Sequence, residues 1–182
     1  MKHVMLAGIV GLQVLWILGT AFTQEIRLGT GTVIRLETRP VDPRDLLRGD
    51  YVILNYAINT VWKDRFVGPV PEEEQAPGKT VYVVLAPQGG FHAVTRISLT
   101  PLKPGVGEVM ITGKIAKGRW ESSGSFRIEY GIERYYVPEG TGNPRGKITV
   151  DVAVSWNGKT SIKQVYIDGR PYAEVMASQK TR

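Results

Sequence analysis

The chain has 182 residues, enough for one domain plus an appendage and for a core that needs no crosslinks. It has no cysteine, which excludes disulfides, thiolate zinc sites and cysteine nucleophiles. Its net charge of +6 is spread over scattered Lys and Arg residues, with no basic run and no interleaved aromatic platform, and this argues against a nucleic-acid partner.

Val4–Phe22 contains no charged residue, and Gln13 is its one strongly polar side chain. As a helix it would be roughly 28 Å long, close to the hydrocarbon thickness of a bilayer. Lys2 in front favours an inside N-terminus and an exported remainder. Residues 1–24 are therefore expected to be a single-pass transmembrane anchor. The alternative is a cleaved signal peptide with Gly19 and Ala21 near its site, but the apolar core is long for one.

After Phe22 the pattern turns to strands and turns, with 21 Gly and 11 Pro spread along the chain. In Thr32–Thr38 one apolar and one polar face alternate, as in a half-buried strand. Val41–Ile58 reads as a helical turn, a stop and a strand. Asp42 caps the turn, with Pro43 at its first position, Asp45 near its positive end and Arg48 near its negative end. Gly49 stops it. From Asp50 onward both faces of the strand are apolar, which predicts a central strand covered on both sides, with the Tyr56 hydroxyl needing an inward partner. Asn59–Gly78 is a long connection bearing the solvated run Glu72–Glu74.

Lys79–Ala86 and Gly90–Leu99 are expected to pair through Pro-Gln-Gly-Gly, and Gly107–Ala116 with Ser122–Tyr130 through the connection after Ala116. Lys147–Ser155 alternates cleanly. Asn157-Gly158 then signals a hairpin to Thr160–Ile167, which ends in the turn Asp168–Pro171. The reading is an all-β domain over residues 25–176 with about eight or nine strands, a sandwich or partly open barrel, and a frayed tail at 177–182.

GDYVILNY (Gly49–Tyr56) resembles the pattern that names the GDYXXLXY protein family, with Gly49, Asp50, Tyr51, Leu54 and Tyr56 at the named positions. The flanking PVDPRDLLR and the downstream YGIERYYVPEG (Tyr130–Gly140) are similar to that family's other stretches. The resemblance implies a membrane-anchored protein with an extracytoplasmic β domain, often beside a multi-pass membrane protein. It implies no activity and transfers no catalytic residue. After VPEGTG this chain passes directly through NPRGK to a strand, where the family would lead one to expect a longer charged segment.

Several groups of residues bear on chemistry. Asp42, Asp45 and Asp50 lie close together, but the interleaved Arg44 and Arg48 would repel a hard cation. The Gly-Asp-strand pattern is similar to signal peptidases, yet upstream only Thr38 is offered where a nucleophilic serine is needed. Glu129, Glu133, Arg134 and Glu139 sit among Tyr130, Tyr135 and Tyr136, where acids near aromatic faces suit a glycan. Alternation puts Glu133 and Tyr135 on one strand face and Arg134 and Tyr136 on the other. His92 has no neighbouring acid. No metal, cofactor or catalytic set is assigned.

The expectation is a non-enzymatic, single-span envelope protein whose exported β domain binds or supports a membrane-protein partner. Its candidate functional surface is Arg44, Asp45, Arg48, Asp50, Tyr51, Tyr56, Tyr130, Glu133, Arg134 and Tyr136. The alternatives are a glycan-binding module or hydrolase using the Glu/Tyr cluster at 129–136, and a purely structural spacer.

Overall fold

Alternating β-branched residues dictate the first sheet. In Ile148–Val154, the side chains of Ile148, Val150, Val152 and Val154 are buried while Thr149 and Asp151 stay half exposed. The structure, a computed structural model, describes residues 10–18, 31–39, 51–117, 124–138 and 146–180. Its strands there are β1 (Thr32–Glu37), β2 (Tyr51–Ile53), β3 (Thr60–Trp62), β4 (Thr80–Gln88), β5 (Phe91–Ser98) and β6 (Val109–Ile115). They continue with β7 (Ser125–Glu129), β8 (Arg134–Tyr136), β9 (Ile148–Val154), β10 (Thr160–Ile167) and β11 (Arg170–Pro171).

One sheet runs β1-β9-β10-β11 and a second β3-β7-β6-β4-β5, while β2 and β8 form a two-stranded ribbon. All of these ladders are antiparallel. The fold is mostly β, with a nearly closed barrel-like sheet, in keeping with the expected class. Two junctions bring the sheets together. β1 lies against β5. On the other side the β9–β10 turn reaches the edge of β6, where the Thr112 N–H and Oγ1 both donate to the Gly158 carbonyl at 2.8 and 3.2 Å. The enclosed core is one continuous cluster including Ile34, Leu36, Leu54, Leu85, Ile111 and Phe126, all nearly inaccessible.

The β9–β10 turn explains itself locally. Gly158 has φ +79°, which a residue with a Cβ adopts poorly, and an added Cβ would also lie 3.0 Å from Thr112 Cγ2. The Asn157 side chain accepts the Lys159 N–H at 3.2 Å and steadies the turn. Trp156 is left at its tip, 96 % exposed.

Three expectations need revision. The strand after Asp50 is not central and not covered on both sides. β2 pairs with β8 alone, and burial alternates: Val52, Leu54, Tyr56 and Ile58 are inside, while Tyr51, Ile53, Asn55 and Ala57 are half exposed. A two-stranded ribbon has no second layer outside it. The connection Asn59–Gly78 carries β3, which pairs with β7, and Ala76 within it is fully buried; the glutamates Glu72, Glu73 and Glu74 are exposed as expected. Three residues are too few to register as a period. Finally, Tyr172–Lys180 is a helix, and it includes Ala177–Lys180 of the expected tail. Tyr172 and Met176 are buried, with the Tyr172 ring edge-on to Tyr135 at 5.3 Å. Few inward apolar residues in one short helix leave little periodicity to read.

Residues 10–18 are helical and their side chains are all exposed, Leu12 at 71 % and Trp16 at 76 %. Among the described residues no helix is long and apolar enough to cross a membrane. The two ends of Val4–Phe22 lie outside the described residues, as does the connection 118–123.

On the outer face of the first sheet, Arg35 of β1 donates two hydrogen bonds to its register partner Asp151 of β9, at 2.6 and 2.9 Å. Tyr166 of β10 adds a hydroxyl at 3.1 Å and lies under the Arg35 guanidinium. The hydrogen bonds from Arg35 hold the Asp151 carboxyl below the usual carboxylate range. A depressed pKa stabilises the fold above the unfolded value and stops doing so as pH falls through the folded one. Asp151→Asn should therefore cost about 0.5–1 kcal/mol at neutral pH, the scale of a well-aligned exposed pair. In urea titrations at stepped pH, that deficit should shrink below about pH 4. A second test concerns Gly113 of β6, where a Cβ would sit 2.5 Å from Ile128 Cγ2 and 3.1 Å from the Glu129 carbonyl. Gly113→Ala should destabilise the chain by roughly 1–3 kcal/mol, seen as a lower urea midpoint.

Candidate functional site

The two motif stretches meet. β2, from GDYVILNY, pairs with β8, from YGIERYY, in the register Tyr51–Tyr136, Val52–Tyr135 and Ile53–Arg134. The Leu54 N–H then donates to the Glu133 carbonyl at 2.8 Å. Next the chain turns sharply through a short 3-10 segment, Ala57–Asn59, and this turn is where the polar groups concentrate.

Asn59 is fully buried, and its side chain is used at both ends. Its Oδ1 accepts the Tyr56 N–H at 2.6 Å, and its Nδ2 donates to the Ile128 carbonyl at 2.7 Å and to Glu133 Oε1 at 3.2 Å. Glu133 in turn accepts the N–H groups of Tyr130 and Gly131 at 2.6 and 2.9 Å, one on each oxygen. The two tyrosines close the network from opposite sides. Tyr56 Oη donates to the Ile132 carbonyl at 2.9 Å, and Tyr130 Oη donates to the Ile58 carbonyl at 2.8 Å. Burial, followed by the nearby Glu133 charge, drives both phenols well above their ordinary range, so neither is available as a proton donor or nucleophile near neutrality. The Glu133 carboxylate thus has both oxygens engaged, with two backbone amides and a buried amide nitrogen. Tyr56, Tyr130 and Glu133 form a latch that pins one motif to the other.

The outward residues behave differently. Tyr136 is 71 % exposed, and its ring meets Tyr51 with centroids 5.9 Å apart. The Arg134 guanidinium lies 5.2 Å from the centre of the Tyr51 ring. The expected alternation holds, with Arg134 and Tyr136 outward and Tyr135 inward against Tyr172. Tyr51, Arg134 and Tyr136 therefore make a surface ridge of two mutually tilted rings and one cation.

This ridge borders a groove of about 900 Å³. Its floor is the outer face of β7, β6 and β4, where Arg127 and Glu129 stand beside Lys114, and Thr112 beside Tyr82. Arg134 and Tyr136 form one side, and Asn157 and Lys159 of the β9–β10 turn form another. Lys114, Arg127, Glu129, Arg134 and Lys159 are all exposed, and none of them makes an ion pair with another described residue. Arg127 does reach Asn55 Oδ1, at 3.4 Å. Glu129 and Glu133 both line the groove, Glu133 with its oxygens taken up by the latch and Glu129 exposed.

The motif spacing now has a geometric meaning. Tyr51 and Leu54 are three apart and point to opposite faces, while Leu54 and Tyr56 are two apart and share the inner one. The family model for GDYXXLXY proteins matches residues 13–165. The chain belongs to the GDYXXLXY family. Neither a curated protein nor a solved structure matches it. In this chain the last tyrosine of the signature, Tyr56, is a latch residue and the first, Tyr51, is a surface residue.

Of the ten residues proposed from sequence, Tyr56, Tyr130 and Glu133 gather in the latch, and Tyr51, Arg134 and Tyr136 gather on the ridge. Arg44, Asp45, Arg48 and Asp50 lie outside the described residues. The sequence did not single out Asn59, although a polar residue closing an apolar run was a usable signal. Nor did it single out Lys114, Arg127 and Lys159, which come together only through sheet pairing. Among the described residues no group of His, Asp and Glu side chains gathers in a way that could hold a metal ion.

The division between latch and ridge is measurable. Asn59→Ala and Glu133→Ala should each cost about 2–4 kcal/mol, because they strand buried or charge-assisted donors, and Tyr130→Phe about 1–3 kcal/mol. Tyr136→Ala should stay within about 0.5 kcal/mol of the parent, as expected for an exposed side chain. Urea unfolding of the full chain reads all four, and equal losses at Tyr136 and Glu133 would contradict the division.

Proposed function

We propose that the protein is a single-span envelope protein whose extracytoplasmic β domain docks a membrane-protein partner through the Tyr51–Arg134–Tyr136 ridge. The observation that carries this reading is the fate of the signature residues. Leu54 and Tyr56, facing inward, are taken up by the core and the latch, and Tyr51, facing outward, lies under the Arg134 guanidinium beside the exposed Tyr136 ring. Tyrosine and arginine in such a pair give large contact area at little entropy cost, and both are enriched where proteins meet. Anchoring is supported by the apolar run Val4–Phe22, preceded by Lys2, and by a helix at 10–18 on which Leu12, Val14, Leu15 and Trp16 are exposed. A row of exposed apolar side chains is costly in water and favourable in lipid.

A glycan-binding role at the same surface is the second reading, since exposed tyrosine rings also stack on sugars. A hydrolytic role is disfavoured by the commitment of Glu133 to backbone amides. Co-purification from native membranes, with mass spectrometry of the captured proteins, tests the docking reading. The parent chain should bring down a defined membrane protein in near-equal amount. A chain carrying Arg134→Glu and Tyr136→Ala should lose it with its urea midpoint unchanged. Retention of the partner by that variant, or capture of soluble glycan in its place, would overturn the reading.

A further inference from the structure

The groove beside the ridge has a charge pattern that specifies more than an interface. Four cations, Lys114, Arg127, Arg134 and Lys159, face it without ion-pair partners among the described residues. Other exposed cations such as Lys103 and Lys117 also lack ion-pair partners among the described residues, but in the groove four cations share one concavity with two carboxylates, and one of these, Glu133, is held by the latch. The groove therefore carries a local excess of positive charge that a ligand bearing negative charge would compensate.

Two features narrow the ligand class. Glu129 stands on the floor between Arg127 and Lys114, its register partner. A carboxylate at that place repels a uniform polyanion such as a polyphosphate or nucleic acid, yet it can accept a backbone N–H or a cation. The Asn157 amide on one wall and the hydroxyls of Thr80, Tyr82 and Thr112 on the floor suit a chain of amide donors and acceptors. At the end of the β9–β10 turn, next to Asn157, Trp156 stands 96 % exposed and gives an apolar anchor of the kind found at protein contacts.

We infer that the groove seats an acidic, extended polypeptide segment, its carboxylates on Lys114, Arg127 and Lys159 and an apolar side chain against Trp156. This rests on the docking reading above and names the chemistry of what the docked partner presents. The ridge variants test docking itself, whereas the floor and wall cations test this inference.

Full-length protein in detergent micelles is titrated into a fluorescein-labelled synthetic peptide of alternating glutamate and glycine carrying one leucine, and separately into labelled inorganic polyphosphate of matched charge. The peptide should bind with an affinity that falls as salt rises. Lys114→Glu combined with Arg127→Glu should weaken it by about tenfold or more, a scale typical of reversing two contacting charges at an interface. Trp156→Ala should weaken the leucine peptide and leave a leucine-free one unchanged. Lys103→Glu, an exposed cation away from the groove, should change nothing. If the double reversal lowers the urea midpoint, Lys159→Glu on the turn replaces it and should still weaken the peptide. No peptide binding, binding indifferent to the groove cations, or polyphosphate bound as tightly as the peptide would each overturn the inference. If groove reversal abolishes peptide binding but leaves the native partner co-purifying, the acidic segment is not how that partner docks, and the ridge reading stands without it.

Discussion

The Glu133 carboxylate holds this fold's two most distinctive stretches together. One oxygen takes the Tyr130 N–H and the Asn59 amide, and the other takes the Gly131 N–H. The two backbone donors come from the tight turn before Glu133, which would otherwise leave its amides partly desolvated and unpaired, a costly state. Asn59 carries the constraint onward to Tyr56 and Ile128, and the tyrosine hydroxyls carry it to Ile132 and Ile58. Buried polar networks tolerate little change, because losing one member strands the rest. Sheet pairing alone would not hold β2 and β8 in place. They share three register pairs, and an isolated two-stranded ribbon is marginal in water.

The latch also sets the path of the larger sheets. Tyr130 follows β7 directly, and its ring lies over Gly113 of β6, where a methyl group would meet Tyr130 Cδ1 at 3.0 Å and Ile128 Cγ2 closer still. The Tyr130 carbonyl accepts the Thr160 hydroxyl at 3.0 Å from β10. One residue therefore touches the ribbon, the second sheet and the first sheet. The groove is a consequence of that arrangement: the chain leaving β7 crosses to the ribbon, and the β9–β10 turn docks on the β6 edge that β7 leaves open.

How much of this could be read in the sequence depended on the range of the interaction. β9, with its four alternating β-branched residues, and β10 beyond Asn157-Gly158 were legible because period and turn chemistry are local. The inward hydroxyl of Tyr56 was legible as a need, but its partner, Ile132, lies 76 residues away and was not. β2 was misread as central because two apolar faces look alike whether a second layer covers them or not. The C-terminal helix offers only a few inward side chains and no capping signal. Lys114, Arg127 and Lys159 belong to three different strands or turns, and no spacing rule joins them before the sheets do.

The signature itself shows why scaffold and surface residues are interleaved. In a strand, even spacing keeps two residues on one face and odd spacing separates them. Tyr-x-x-Leu-x-Tyr thus places Leu54 and Tyr56 inside and Tyr51 outside, and the partner stretch repeats the division with Tyr135 inside and Arg134 and Tyr136 outside. A register slip of one residue would exchange the two sets, setting the latch phenol in water and burying a guanidinium. The latch prevents that slip, because Leu54 and Asn59 are each bonded to Glu133. The same hydrogen bonds that satisfy the core therefore fix which tyrosines the molecule shows to its surroundings. A buried network thus decides the geometry of the ridge at the surface.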